Sequence, residues 1–230
     1  TIITHRIKNL IESGVPPEKI LVVTFTKAAA IHMQKKFFHI MQGENWIRGS
    51  YPVSFGTFHS IFFRILKLTK NYRGEHILGE NMKFQILREI VLRKKIEASN
   101  INDFLHNIAS ELSKIKSNMT DINSFESQCC NNETFQCVFE EYQRVLSCEQ
   151  KIDFDDMLLK CHELFQENPK ILGRWQQIFE YILIDEFQDI NYVQYEIIKM
   201  LAFPQNNLFV VGDDDQSIYG FRGACPELML

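Results

Sequence analysis

The chain has 230 residues, 45% of them hydrophobic, and a formal net charge of −4. That length allows a sizeable core and even two units, while no apolar run approaches the roughly 20 residues that a bilayer requires. The acidic balance excludes a protein that holds nucleic acid by bulk positive charge but leaves room for a local basic groove or a stacking platform.

Thr1 to Lys8 hold His5, Arg6 and Lys8 instead of a signal peptide's apolar segment, so a soluble, cytoplasmic protein is expected. Six cysteines show neither a CxxC pair nor zinc-like His/Cys spacing. Reduced and mostly buried thiols are the expectation.

Four short runs rich in β-branched and aromatic residues read as buried strands: Ile20 to Phe25, Val53 to Thr57, Tyr181 to Asp185 and Leu208 to Gly212. Polar or small residues and then a helical pattern follow each of them, as parallel βα units require. The spacing predicts a parallel sheet covered on both faces. After the first strand Thr26 is placed to cap a helix with the stripe Ala30, Met33, Phe37 and Met41. After the second, Phe58, Ile61, Phe62, Ile65 and Leu66 share one helical face.

From about residue 70 to 175 the strand signal disappears. Ile101, Phe104, Leu105, Ile108, Leu112 and Ile115 form one helical stripe, and Phe135, Val138, Phe139, Tyr142, Val145 and Leu146 another. The polar Thr120 to Thr134 stretch reads as a connector between helices. The predicted organisation is a first α/β part over 1–69, a helical insertion over 70–173 and a second α/β part over 174–230.

The third strand runs into "IDEFQD" (184–189). Ligands of open parallel sheets gather at the carboxyl ends of strands, so Asp185 suits a Mg²⁺ ion and Glu186 the proton of an attacking water. The same acids also suit the positive end of a helix beginning near Asn191, and "IDE" alone does not separate the two readings. The fourth strand ends in "GDDDQSIYGFRGA" (212–224), where Gln216 is able to reach a phosphate. Tyr219 and Phe221 beside Arg222 suit stacking on unpaired bases, or simple core packing. In "DFDDML" (153–158), a helix cap is the favoured role for Asp153.

"TFTKAAA" (24–30), "GTFHS" (56–60), "IDEFQD" and "GDDDQSIYGFRGA", with "DFDDML" ahead of the third, stand in the order and approximate spacing of the UvrD/Rep/PcrA family of superfamily 1 DNA helicases, which this chain resembles. The resemblance covers nearly the whole chain. It implies a RecA-like P-loop NTPase sheet interrupted by a mostly helical insertion, with ATP and Mg²⁺ as cofactors. Single-stranded DNA, duplex junctions and a second motor domain of the same parent chain are the implied partners. By resemblance, Asp185 holds Mg²⁺, Glu186 activates water against the γ-phosphate, Gln216 senses that phosphate and Arg6 adjoins the nucleotide. Thr24, Phe25, Thr26, Thr57 and His59 then line the single-stranded DNA path, and Tyr219, Phe221 and Arg222 contact bases.

Two departures stand out. Phe221 replaces the tryptophan common there, which weakens stacking without abolishing it. Lys27-Ala28 replaces Asn-Lys, turning the positive charge by about 100° on a helix. No Gly-Lys pair occurs in the chain, so the GxxxxGK[ST] phosphate loop and its strand are expected to precede Thr1, and the second motor domain to follow Leu230. The isolated chain is expected to be an inactive fragment of a helicase that moves 3′ to 5′ on single-stranded DNA, with a sticky sheet edge where the preceding strand is missing. Two other readings stay open: a non-catalytic single-stranded DNA-binding or interaction module, and the motor of an AddA/RecB-type helicase-nuclease.

Overall fold

The sheet has four parallel strands in the order β2-β1-β3-β4: β1 (Ile20–Thr24), β2 (Ser54–Thr57), β3 (Tyr181–Ile184) and β4 (Leu208–Val210). This computed structural model describes residues 2–41 and 52–213. Each predicted strand is present and is shorter than expected by one or two residues at an end. In register, Val22 stands opposite Phe55 on one side and Leu183 on the other.

Residue alternation sends the sheet's side chains into two cores. Ile20, Val22 and Leu183 meet Ile3 and Ile7 of α1 (Ile2–Glu12) and Met33, Phe37 and Met41 of α2 (Lys27–Met41). Leu21, Val23, Ile182 and Ile184 face α3 (Phe58–Lys70), α7 (Phe154–Glu167), α8 (Pro169–Ile178) and α9 (Tyr192–Ala202). Both helical stripes predicted beside β1 and β2 are buried as read. Every such side chain taken fully out of water contributes about 1.5–3 kcal/mol before chain entropy is charged against it.

The stretch between β2 and β3 contains no strand among the described residues. There α4 (Glu80–Arg93), α5 (Ile101–Asn118) and α6 (Asn132–Cys148) enclose a separate core around Leu87, Ile108, Leu112, Val138 and Tyr142. The chain crosses into and out of this unit at one stem, where Leu78 N donates to Ile152 O at 2.8 Å and Ile152 N donates to His76 O at 2.8 Å. Helices α7 and α8, although they follow that stem, pack on the sheet.

The described sheet ends on β2 at one side and on β4 at the other; β3 pairs directly with β4, Leu183 opposite Phe209, and on β4 Leu208 and Val210 are both more than a third exposed. One expectation needs correction: the thiols are not mostly buried. Cys161 is, but Cys129, Cys130 and Cys137 are half-buried and Cys148 is exposed, because α6 and the loop before it sit at the rim of the helical core. Burial pushes the Cys129 thiol up to about 12. Cys225 lies outside the described residues.

Candidate active site and the adjoining cleft

The end of β3 is built so that two carboxylates leave the sheet in different directions. Asp185 N still donates to Val23 O at 3.0 Å, continuing the ladder to β1, and the next residue breaks it. Glu186 takes the left-handed conformation (φ 54°, ψ 50°), which costs a non-glycine residue about 1–3 kcal/mol and persists only where neighbours over-determine it. They do so here. A single 3-10 turn, Phe187–Asp189, follows, with Asp189 N donating to Glu186 O at 3.0 Å and Phe187 N to Val211 O at 3.0 Å.

Gln188 completes the clamp. Its Nε2 donates to Glu186 Oε2 at 2.7 Å, while its Oε1 accepts from Asp213 N at 3.1 Å. The loop after β4 is thereby tied to the carboxylate after β3. Gly212 permits this approach, since a Cβ there would lie 2.6 Å from Gln188 Oε1 and 3.1 Å from Phe187 N.

These acids do not cap α9. Asn191 does so itself, accepting from Gln194 N at 2.9 Å while Gln194 Oε1 accepts from Asn191 N at 3.0 Å. Asp185 is half-buried, and burial together with the charge of Glu186 holds its carboxyl above the usual range. An acid whose charge is so poorly compensated fits a divalent cation, and Mg²⁺ needs only one or two carboxylates because it keeps much of its water.

The residues expected to meet DNA divide into scaffold and surface. Thr24 is buried and its Oγ1 donates to Thr26 O at 3.0 Å, while Thr26 Oγ1 accepts from Ala29 N at 3.1 Å and caps α2. Thr57 caps α3, exchanging hydrogen bonds with Ser60, and Gly56 leaves room for that box because a Cβ there would meet Ser60 Oγ at 2.7 Å. Phe25 and His59, in contrast, both line a cleft of about 560 Å³ between the sheet end and the helical unit. Arg6 is exposed on α1, its guanidinium 5.6 Å from the Phe209 ring centroid. Gln216, Tyr219, Phe221 and Arg222 lie outside the described residues.

Sequence reasoning missed several residues of the cleft. Phe154, at the first turn of α7, is 41% exposed and stands edge-on to His59 with centroids 5.7 Å apart. Facing them from the helical unit are Phe84 and His106, whose rings lie 4.6 Å apart. An aromatic residue directly after the cap Asp153, in the first turn of its helix, was the available signal for Phe154. Nothing in the pattern of α4 or α5 marks Phe84 and His106, because their partners come from distant segments. Asp153 is indeed a cap, accepting from Asp156 N at 2.8 Å.

The model of the UvrD/REP helicase N-terminal domain matches residues 1–230. The chain belongs to that family. Among its relatives, YjcD of Bacillus subtilis is 37% identical over 242 residues, covering 100% of this chain and 30% of the relative. The ATP-dependent DNA helicase PcrA of Staphylococcus epidermidis is 34% identical over 238 residues, 97% of this chain and 31% of the relative. DNA helicase II of Rickettsia typhi is 36% identical over 236 residues, 97% of this chain and 34% of the relative. The chain thus spans about a third of the length of the curated relatives it matches. The four-stranded parallel sheet with helices on both faces is the α/β architecture this membership implies. Among the described residues no helix is long and apolar enough to cross a membrane.

Proposed function

We propose that these 230 residues are the greater part of the first motor domain of a cytoplasmic ATP-dependent DNA helicase that moves 3′ to 5′ on single-stranded DNA and opens duplex junctions. The observation that carries this reading is the clamped Asp185–Glu186 pair at the carboxyl end of a parallel strand, beside an aromatic cleft. Segments 1–69 and 174–230 form the motor and 70–173 the insertion, with a second motor domain of the parent chain completing the nucleotide site.

Asp185 is the residue that would hold Mg²⁺, which when bound neutralises charge on the β- and γ-phosphates. Glu186 is held to accept a proton from water, its carboxylate fixed by Gln188 so that little reorganisation is required. By the family resemblance, Gln216 would sense the γ-phosphate and Arg6 would adjoin the nucleotide. Phe25, His59 and Phe154 offer stacking surface to bases, with Thr24, Thr26 and Thr57 shaping the loops that carry the path. By the family resemblance, Tyr219, Phe221 and Arg222 also contact bases.

Because the sequence holds no Gly-Lys pair, the 230 residues alone are expected to bind single-stranded DNA without turning over ATP. The test joins them to the phosphate loop and second motor domain of a relative such as PcrA. ATP hydrolysis stimulated by single-stranded DNA should appear and fall by about 10²–10⁴-fold in Glu186→Gln, with DNA binding retained. Hydrolysis indifferent to that substitution would overturn the assignment.

A further inference from the structure

Asp189 ends the turn that begins at Glu186, and it lines the aromatic cleft. It is 8% exposed, and its Oδ1 is the buried side-chain atom left without a hydrogen-bond partner among the described residues. A buried acceptor left unpaired is costly, so a folded chain that keeps one invites an explanation. Five polar neighbours in the cleft are engaged with one another. Asn191 and Gln194 cap each other, and Ser113 Oγ donates to Asp155 Oδ2 at 2.6 Å. Lys83 Nζ turns to the same pair, 3.3 Å from Ser113 Oγ and 3.7 Å from Asp155 Oδ2.

Two aromatic pairs from separate parts of the chain flank this acid. His59 and Phe154 stand on the sheet side, Phe84 and His106 on the side of the insertion. Flat π-faces suit a nucleobase, and an ionised carboxylate offers acceptors only. Every DNA base carries an N–H donor on its pairing edge, and pairing in a duplex occupies that edge.

We propose that one unpaired nucleobase of single-stranded DNA enters this cleft between the two aromatic walls and donates an N–H to Asp189. The insertion, through Phe84 and His106, is therefore part of the DNA site. Such a contact tolerates any base yet rejects a paired one, and the bond from Asp189 N to Glu186 O joins the occupied cleft to the carboxylate of the motor. The proposal rests on the single-stranded DNA reading above.

The test uses the 230-residue chain and two labelled strands of equal length, oligothymidylate and one with abasic sugars throughout, compared by fluorescence anisotropy. The chain should prefer the base-bearing strand by at least about tenfold. Asp189→Ala should cut that preference about tenfold while leaving affinity for the abasic strand unchanged. Asp189→Asn, which keeps an acceptor oxygen, should retain most of it. His106→Ala, at an exposed position, should also reduce the preference. A preference untouched by Asp189→Ala, or an equal loss on both strands, would overturn the base contact while leaving the DNA reading intact. Failure of the unaltered chain to bind either strand would overturn both.

Discussion

Lys116 and Asp153, 37 residues apart in the chain, meet as a buried ion pair with Nζ 2.7 Å from Oδ2. Asp156 Oδ1 lies 2.8 Å from the same ammonium, and Tyr142 Oη donates to Asp153 Oδ2 at 3.0 Å. The network joins α5 and α6 of the helical unit to α7, whose Phe154 stands in the cleft. Removing one partner of a buried pair strands the other's charge, so Lys116→Met should destabilise the chain by about 3–5 kcal/mol, read from urea unfolding. A loss below about 1 kcal/mol would show the pair to be dispensable.

The same network gives stability a definite pH dependence. Burial raises Asp156 to about 6, outweighing Lys116, with the charge of Asp153 adding to the rise. Burial also pushes Asp153 upward, but Lys116 and then Lys83 overcome it and leave that carboxyl at about 2. Between about pH 4 and 6 the folded chain holds a proton on Asp156 that the unfolded chain has released, so this group's contribution falls as pH rises through that window. Below about pH 4 the unfolded chain binds the extra proton at Asp153, and that group's contribution is lost as pH falls toward 2. Unfolding free energies from pH 3 to 7 should therefore lose their downward slope between 4 and 6 in Asp156→Asn. A slope unchanged by that substitution would assign it to other groups.

Much of the sheet was legible because its signals are local. Continuous apolar runs such as "ILVVTF" mark strands buried on both faces, and the stripe from Phe58 to Leu66 survives intact in α3. The acids at the end of β3 stood out as a candidate site or as caps of the next helix, and the cap proves to be Asn191. What escaped depends on contacts between distant segments. Lys116 reads as an ordinary charged position of an amphipathic helix, yet it is 2% exposed because two acids from α7 reach it. Asp189, the last acid of "IDEFQD", received no role from the sequence. That its Oδ1 is buried without a partner is a property of the folded turn and has no mark in the sequence.

Phe154 tests the cleft with little risk to the fold. Its ring is 41% exposed and rests edge-on against His59, so truncation opens no deep cavity. Phe154→Ala should leave the melting temperature within about 2–3 °C of the parent, which corresponds to a change of about 1 kcal/mol or less. Affinity for oligothymidylate should fall about tenfold, the scale of one lost stacking contact. Unchanged affinity would remove Phe154 from the DNA path.

Gly212 sits where the clamp on Glu186 admits no extra atom. A Cβ would come within 2.6 Å of Gln188 Oε1 and within 3.1–3.2 Å of the backbone nitrogens of Phe187 and Gln188. The side-chain oxygen can swing away, but doing so releases Asp213 N and loosens Gln188 from Glu186; the backbone atoms cannot yield without moving the strained turn. Gly212→Ala should therefore cost about 1–3 kcal/mol of stability. In the chain joined to a phosphate loop and second motor domain, it should lower DNA-stimulated ATP hydrolysis more than Gln188→Ala does, because the first change displaces the turn and the second removes only its tether. Hydrolysis lost equally in both would mean that Gln188, and not the packing of Gly212, carries the link between the two strand ends.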